Sequence, residues 1–141
     1  MSSGPRPPSI AVGPGSSNDD IIRAWTEAIR ERDWNTATDL FAVPAVVQNG
    51  PEKLTLTEPA QVYGFNSSLP CGARLIRTDV KGRYTVATFL LLQRRSGSCG
   101  DGAGRRAATA FRFEKGKIVE WLRVPIPPEA NQPPNPNAPS V

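Results

Sequence analysis

The sequence predicts an α+β domain: three helices in the first half, then a curved antiparallel sheet that they cover on one face. Three observations carry this expectation. Apolar residues from Ile21 to Phe65 recur at the three-four spacing of helix faces. From residue 73 onward the chain changes to runs rich in Val, Ile, Thr, Leu and Phe, paired across two Lys-Gly turns. Prolines crowd at the ends: Pro5, Pro7, Pro8 and Pro14, then Pro125, Pro127, Pro128, Pro133, Pro134, Pro136 and Pro139, eleven of the 15. The chain of 141 residues therefore divides into a leader over 1–18, one domain over 19–125 and a Pro/Asn-rich tail over 126–141. About 105 residues remain to bury a small core.

The elements follow in order. Asn18 or Asp19 caps a first helix whose apolar face is Ile21, Ile22, Trp25, Ala28 and Ile29. Asp33 caps a short second helix with Ala37, Leu40 and Phe41 inward, limited by Pro44 because a residue preceding proline is pushed out of helical geometry. Ala45-Val46-Val47-Gln48 reads as a short strand stopped by Asn49-Gly50-Pro51. Thr57-Glu58-Pro59 starts a third helix, with Val62 and Phe65 inward. Strands are expected at 73–80 and 83–94, joined by Lys81-Gly82, and at 106–113 and 117–124, joined by Lys115-Gly116.

Composition excludes several function classes. No apolar run is long enough to span a membrane, and no membrane partner is expected. No charged-then-apolar N-terminal signal is present, which points to the cytoplasm. Histidine is absent, removing His-based triads and His-ligated zinc, and two cysteines cannot make a four-Cys site, so no metal is expected. There is no Gly-rich phosphate loop after a strand, and no cofactor is expected. The net charge of +4 is mild; Arg94-Arg95 and Arg105-Arg106 bracket a Gly/Ser-rich loop without an interleaved aromatic residue, so no nucleic-acid partner is expected either.

Val86-Ala87-Thr88-Phe89-Leu90-Leu91-Leu92 is apolar on both faces, whereas a strand with one wet face alternates. Helices cover one side. The other calls for a second copy of the chain, hence a homodimer through the outer sheet face, or for the long loop or a tail folding over it.

Arg32-Asp33-Trp34, Asp39-Leu40-Phe41-Ala42, Ala45-Val46-Val47 and Phe111-Arg112-Phe113-Glu114-Lys115-Gly116-Lys117-Ile118-Val119-Glu120-Trp121 resemble the nuclear transport factor 2-like superfamily, and more narrowly its SnoaL-like (polyketide cyclase) branch. The resemblance covers the core and neither end. It implies a cone of helices and bent sheet around an apolar pocket, often in a dimer packed through the sheet. Ketosteroid isomerases of this superfamily carry an oxyanion-donating Tyr where this chain has Trp25, an Asp base where it has Asn49, and a protonated Asp where it has Thr109. Asn49 cannot serve as a base near neutral pH. Limonene-epoxide hydrolases are similar around Val47-Gln48-Asn49-Gly50-Pro51, where their Asn binds water. Their catalytic Arg and Asp fall at Thr88 and Leu90 here, and their second Asp falls at Arg123. Arg77-Thr78-Asp79 reads as a solvated strand end.

The candidate ligand-binding residues are thus Trp25, Phe41, Asn49, Tyr63, Thr88, Thr109, Phe111, Trp121 and Arg123, with Asn49 the one catalytic candidate. Arg123 shares an alternation face with Val119 and Trp121; if inward, it binds the acidic group of a ligand, and if at the rim, it lies in water or pairs with Glu120 or Glu52. Antiparallel pairing of the first two long strands brings Cys71 near Cys99. A disulfide there implies an oxidising compartment and export; two unrelated thiols are the alternative. The leading functional reading is a pocket for a small hydrophobic molecule, including one with an acidic group. Alternatives are a cyclase, isomerase or epoxide hydrolase in which Asn49 orients water or substrate, and an interaction module with a filled pocket.

Overall fold

A computed structural model describes residues 17–94 and 99–128. The leader up to residue 16, loop residues 95–98 and the tail from residue 129 lie outside the described residues.

Helix α1 spans Asn18–Glu31. Its cap is Ser17, not Asn18 or Asp19: the Ser17 hydroxyl accepts from the Asp20 N–H at 3.1 Å. That leaves Asp19 and Asp20 in the first turn, where the helix dipole favours negative charge. Ile21, Ile22, Trp25, Ala28 and Ile29 are all buried, as their spacing predicts. Helix α2, Trp34–Asp39, is capped by Asp33, whose carboxylate accepts from the Thr36 N–H at 3.2 Å and hydroxyl at 2.6 Å.

Strand β1 runs over Phe41–Gln48, longer than expected. Leu40 and Phe41 are buried, but the helix has already ended at Asp39 and Phe41 opens the strand. Pro44 does not end the helix; it sits inside β1, after a cis Val43–Pro44 bond, where the register with β6 shifts. Proline is tolerated in a strand at such irregularities. A three-residue strand β2, Leu54–Leu56, was not expected and pairs antiparallel with β1. Helix α3, Pro59–Ser68, starts where Gln61 Oε1 accepts from the N–H groups of Thr57 at 2.6 Å and Glu58 at 3.1 Å. Strands β3 (Gly72–Lys81), β4 (Tyr84–Leu92), β5 (Arg106–Glu114) and β6 (Lys117–Val124) follow. Lys115 and Gly116 both take positive φ, 51° and 77°, the geometry that closes a two-residue hairpin between twisted strands.

The sheet has six strands in the order β2-β1-β6-β5-β4-β3. It is mixed, not purely antiparallel: β1 runs parallel to β6, pairing Val47 with Trp121. The hairpin signals fix neighbours along β3–β6 but carry no information on where the first strand joins. The helix-facing side holds the main core, including Val47, Ala87, Phe89, Phe111, Ile118 and Trp121. One correction concerns β6. Phe113 pairs with Ile118 and Arg112 with Glu120, so Val119 is an extra residue in a bulge and does not share the Trp121–Arg123 face by simple alternation.

Val86, Ala108 and Ala110 form a second apolar cluster on the outer face, joined by Leu122, Val124 and Ile126. The outer face of β4 is therefore packed around Val86 within the described chain, where Ile126, just past the last strand, supplies part of the cover, while Leu90 and Leu92 stay half-buried. At one end of this face Arg112 bridges Glu114 and Glu120, and the Tyr84 hydroxyl donates to Glu120 at 3.0 Å.

Burial alone would raise the Glu120 carboxyl, but the hydrogen bonds from Arg112 and Tyr84 outweigh it and hold the pKa below the ordinary 4.5. The bond to Glu120, then burial, raise Tyr84 above 10.0. Glu120 thus contributes stability that is present above the carboxylate range and lost as pH falls through its lowered value. Tyr84 contributes stability that is present below its ordinary value and lost as pH rises through the raised one. Glu120→Gln is expected to flatten both limbs of the Tm-against-pH profile; a profile parallel to that of the wild type would contradict the assignment.

Candidate functional site

The residues that face the helices leave a cavity of about 90 Å³ at the open end of the β4–β5–β6 surface. Its apolar walls come from Phe89 and Leu91 of β4, Ala107 of β5, Ala73 of β3 and Leu69 and Pro70 of the turn after α3. Trp25 of α1 and Trp121 of β6 also line it, and Thr109, Asn49 and Arg123 bring the polar groups.

Strand pairing explains the arrangement. Thr109 lies directly opposite Arg123, and Phe111 opposite Trp121. The parallel neighbour pairs Val47 with Trp121 and Gln48 with Leu122, which delivers Asn49 beside Arg123. Arg123 Nη1 donates to Asn49 Oδ1 at 3.0 Å. Arg123 is exposed at the rim and pairs with neither Glu120 nor Glu52: Glu120 is on the outer face with Arg112, and Arg123 has no ion-pair partner among the described residues. Burial of part of its side chain pushes the Arg123 pKa down. Arg123 is exposed at the cavity rim and bonded there to a neutral amide, so its charge has no carboxylate partner among the described residues.

The two tryptophans differ. Trp25 Nε1 donates to Asn66 Oδ1 at 2.9 Å, and Asn66 Nδ2 donates to the Val62 carbonyl at 3.2 Å, all of it buried. Trp121 Nε1 is buried without a hydrogen-bond partner. The rings meet at 5.9 Å, and Trp25 also meets Phe89 and Phe111 at 5.8 Å each. The site thus combines a buried, unpaired N–H donor with an exposed cation at the rim of an apolar cavity.

Five of the expected binding residues come together here: Trp25, Asn49, Thr109, Trp121 and Arg123. Four do not line the cavity. Phe41 packs on Phe65 at 6.5 Å in the core. Phe111 is fully buried behind Trp25. Tyr63 is 41% exposed and points away from the core. Thr88 pairs with Ala108 and so lies on the outer face, one residue out of phase with the inward Ala87 and Phe89. Strand alternation anchored on Phe89 would have excluded Thr88 and found Ala107, Phe89 and Leu91, which the sequence reading missed. Arg77, also outward, donates to Asp79 at 2.7 Å in an edge-strand ion pair.

Cys71 borders the same cavity. Its Cα is 4.6 Å from that of Cys99 and the two sulfurs are 2.00 Å apart. Gly102 packs on both sulfurs: a Cβ there would stand 3.3 Å from each.

The cavity lining includes no carboxylate. Among the described residues no group of three or more His, Cys, Asp and Glu could hold a metal, and no helix is long and apolar enough to cross a membrane.

No family model and no curated protein matches the sequence. Solved structures do resemble the fold. An NTF2-like protein of unknown function from Cytophaga hutchinsonii aligns with a TM-score of 0.60 at 9% identity, covering 77% of this chain and 88% of that one. A candidate polyketide cyclase from Sinorhizobium meliloti aligns at 0.59 and 16% identity, over 74% and 94%. A protein of ketosteroid isomerase-like fold from Catenulispora acidiphila, in complex with trimethylamine, aligns at 0.59 and 16%, over 77% and 86%. The fold is therefore NTF2-like, as the resemblance implied. Fold of this kind hosts many activities and fixes none.

The unequal tryptophans are testable. Trp25→Phe and Trp121→Phe remove similar volume, but the first orphans the Asn66 carbonyl and the second removes a donor that is already unpaired. Trp25→Phe is expected to cost about 1–3 kcal/mol more than Trp121→Phe in urea denaturation. Equal losses would contradict the hydrogen-bond assignment.

Proposed function

We propose that this domain binds a small carboxylate, with its short apolar part in the cavity and its carboxylate at Arg123. The observation that carries this reading is the pairing of Arg123 with Asn49 instead of an acid, at the rim of an apolar cavity that Trp121, its indole N–H unpaired, also lines. An incoming carboxylate supplies the missing countercharge and takes bonds from the guanidinium. Asn49, held by its carbonyl, keeps its amide donors for the same ligand. Size sets the scale: a dry cavity of roughly 150 Å³ accommodates benzene, so one of about 90 Å³ suits a tail of a few carbon atoms rather than a steroid or polyketide skeleton. Without an acid or base in the lining, binding is better supported than proton abstraction, and Asn49 serves as a polar anchor.

Titration of the full chain with butyrate, followed by calorimetry, tests the proposal. Saturable binding is expected, weakened about tenfold or more in Arg123→Ala. Asn49→Asp should weaken it similarly by supplying an internal countercharge. Undiminished butyrate binding by Arg123→Ala would overturn the reading.

We further propose that Cys71 and Cys99 form a disulfide in the folded protein, bracing the cavity rim. The juxtaposition of the two sulfurs supports it, and closing 28 residues contributes roughly 3.6 kcal/mol in the chain-entropy picture. Intact mass of non-reduced protein is expected to fall about 2 Da below that of the reduced form, because disulfide formation removes two hydrogens. An unchanged mass would contradict it.

A further inference from the structure

We propose that the cleft between the end of α1 and the β3–β4 edge binds a phosphate-type oxyanion. The cleft, about 430 Å³, is bounded by Arg30, Glu31 and Arg32 on one side and by Gly72, Gln93 and Arg94 on the other. Its volume falls in the range of small-ligand sites, roughly 300–1,000 Å³, and it is separate from the cavity at Arg123.

Three features distinguish it from a solvated patch of surface charge. The first is that Arg94 is fixed. Its Nη1 donates to the Cys71 carbonyl at 2.9 Å and its Nη2 to the Leu69 carbonyl at 2.8 Å, and its guanidinium lies over the Trp34 ring at 5.3 Å. A guanidinium held by two carbonyls and a ring gains rigidity without neutralisation, and its Nε remains buried and unpartnered. The second is close approach. A Cβ on Gly72 would stand 3.0 Å from Arg94 Cγ and 3.3 Å from Arg30 Cγ, so the missing side chain lets two arginine stems converge over the start of β3.

The third is uncompensated like charge. Arg30, Arg32 and Arg94 form no ion pair among the described residues, and Glu31 is the cleft's one acid. Burial, then the charge of Arg32, lower the Arg94 pKa. The helix dipole favours a cation at the end of α1, which accounts for Arg30. It does not account for a second guanidinium fixed from across the cleft. Arg32 itself occupies the left-handed conformation, φ 59°, ψ 33°, at the helix C-cap, a position where glycine is preferred. Arg30 and Arg32 can present planar forks that match phosphate oxygens in pairs, and Arg94, its own fork held by the two carbonyls, adds a fixed positive charge beside them. An anion with several oxygens and more than one negative charge satisfies them together.

Inorganic pyrophosphate is the probe, titrated into the full chain at low ionic strength by calorimetry. The expected result is one saturable site, weakened about tenfold or more by Arg32→Gly and by Arg30→Gln, the scale of a lost charge-assisted hydrogen bond. Arg32→Gly introduces the residue its backbone prefers, so this variant is expected to fold at least as well as the wild type. Arg83→Gln, in the turn at the far end of β3, should bind normally, and so should Arg123→Ala, which keeps this test independent of the carboxylate site. Absence of saturable binding, or equal weakening by Arg83→Gln, would overturn the proposal. Tighter binding of citrate than of pyrophosphate would overturn the assignment to phosphate.

Discussion

One buried hydrogen bond organises the molecule. Trp25 Nε1 of α1 donates to Asn66 Oδ1 of α3, and the same indole ring rests on Phe89, Phe111 and Trp121 of β4, β5 and β6. The bond relieves the cost of burying two polar groups, and the ring ties both helices to the middle of the sheet. Because Asn66 Nδ2 is also engaged, by the Val62 carbonyl, this centre is closed to a ligand. What remains open lies one strand pair farther along, where Trp121 has no such partner.

That placement sets the site apart from that of the ketosteroid isomerases that the sequence resembles. The positions that would carry an oxyanion donor, a base and an acid hold Trp25, Asn49 and Thr109. The first spends its donor on Asn66, and the second lends its carbonyl to Arg123. The polar residues of the cavity therefore present positive potential and no proton acceptor of useful basicity. Under the proposed function, this arrangement serves to recognise an anion and not to move a proton. Arginines recur outside the cavity with another role: Arg112 is neutralised by Glu114 and Glu120 on the outer face, while Arg94 is immobilised and left charged at the cleft.

Much of this was legible in the sequence, in proportion to how local the signal was. The apolar face of α1, the Asp33 cap and both hairpins rest on spacing and turn chemistry within a few residues, and they stand with small shifts at the ends. The parallel join of β1 to β6 depends on residues about 75 apart and left no local trace. Within the site, strand phase decided the outcome. Thr109 and Trp121 are buried on the helix-facing side and Arg123 is exposed at its rim, and the Val119 bulge shows that simple alternation along β6 holds only beyond Glu120. Thr88 was misplaced for the same kind of reason: in a strand apolar on both faces, polarity does not reveal which residues point in. Phe41 and Phe111 were read as pocket wall because core and pocket share one apolar surface in this fold, and only their ring contacts separate the two.

The central claim is that a ligand enters beside Trp121, which lines the cavity with its indole N–H unpaired, while Trp25 is committed to the fold. Indole ¹H–¹⁵N NMR distinguishes the three tryptophans, Trp25, Trp34 and Trp121, in one spectrum. During addition of a short-chain carboxylate the Trp121 resonance should move and saturate, with Trp34 unmoved and the Trp25 proton exchanging with solvent only through global unfolding. A stationary Trp121 resonance, or rapid exchange of the Trp25 proton, would contradict the account.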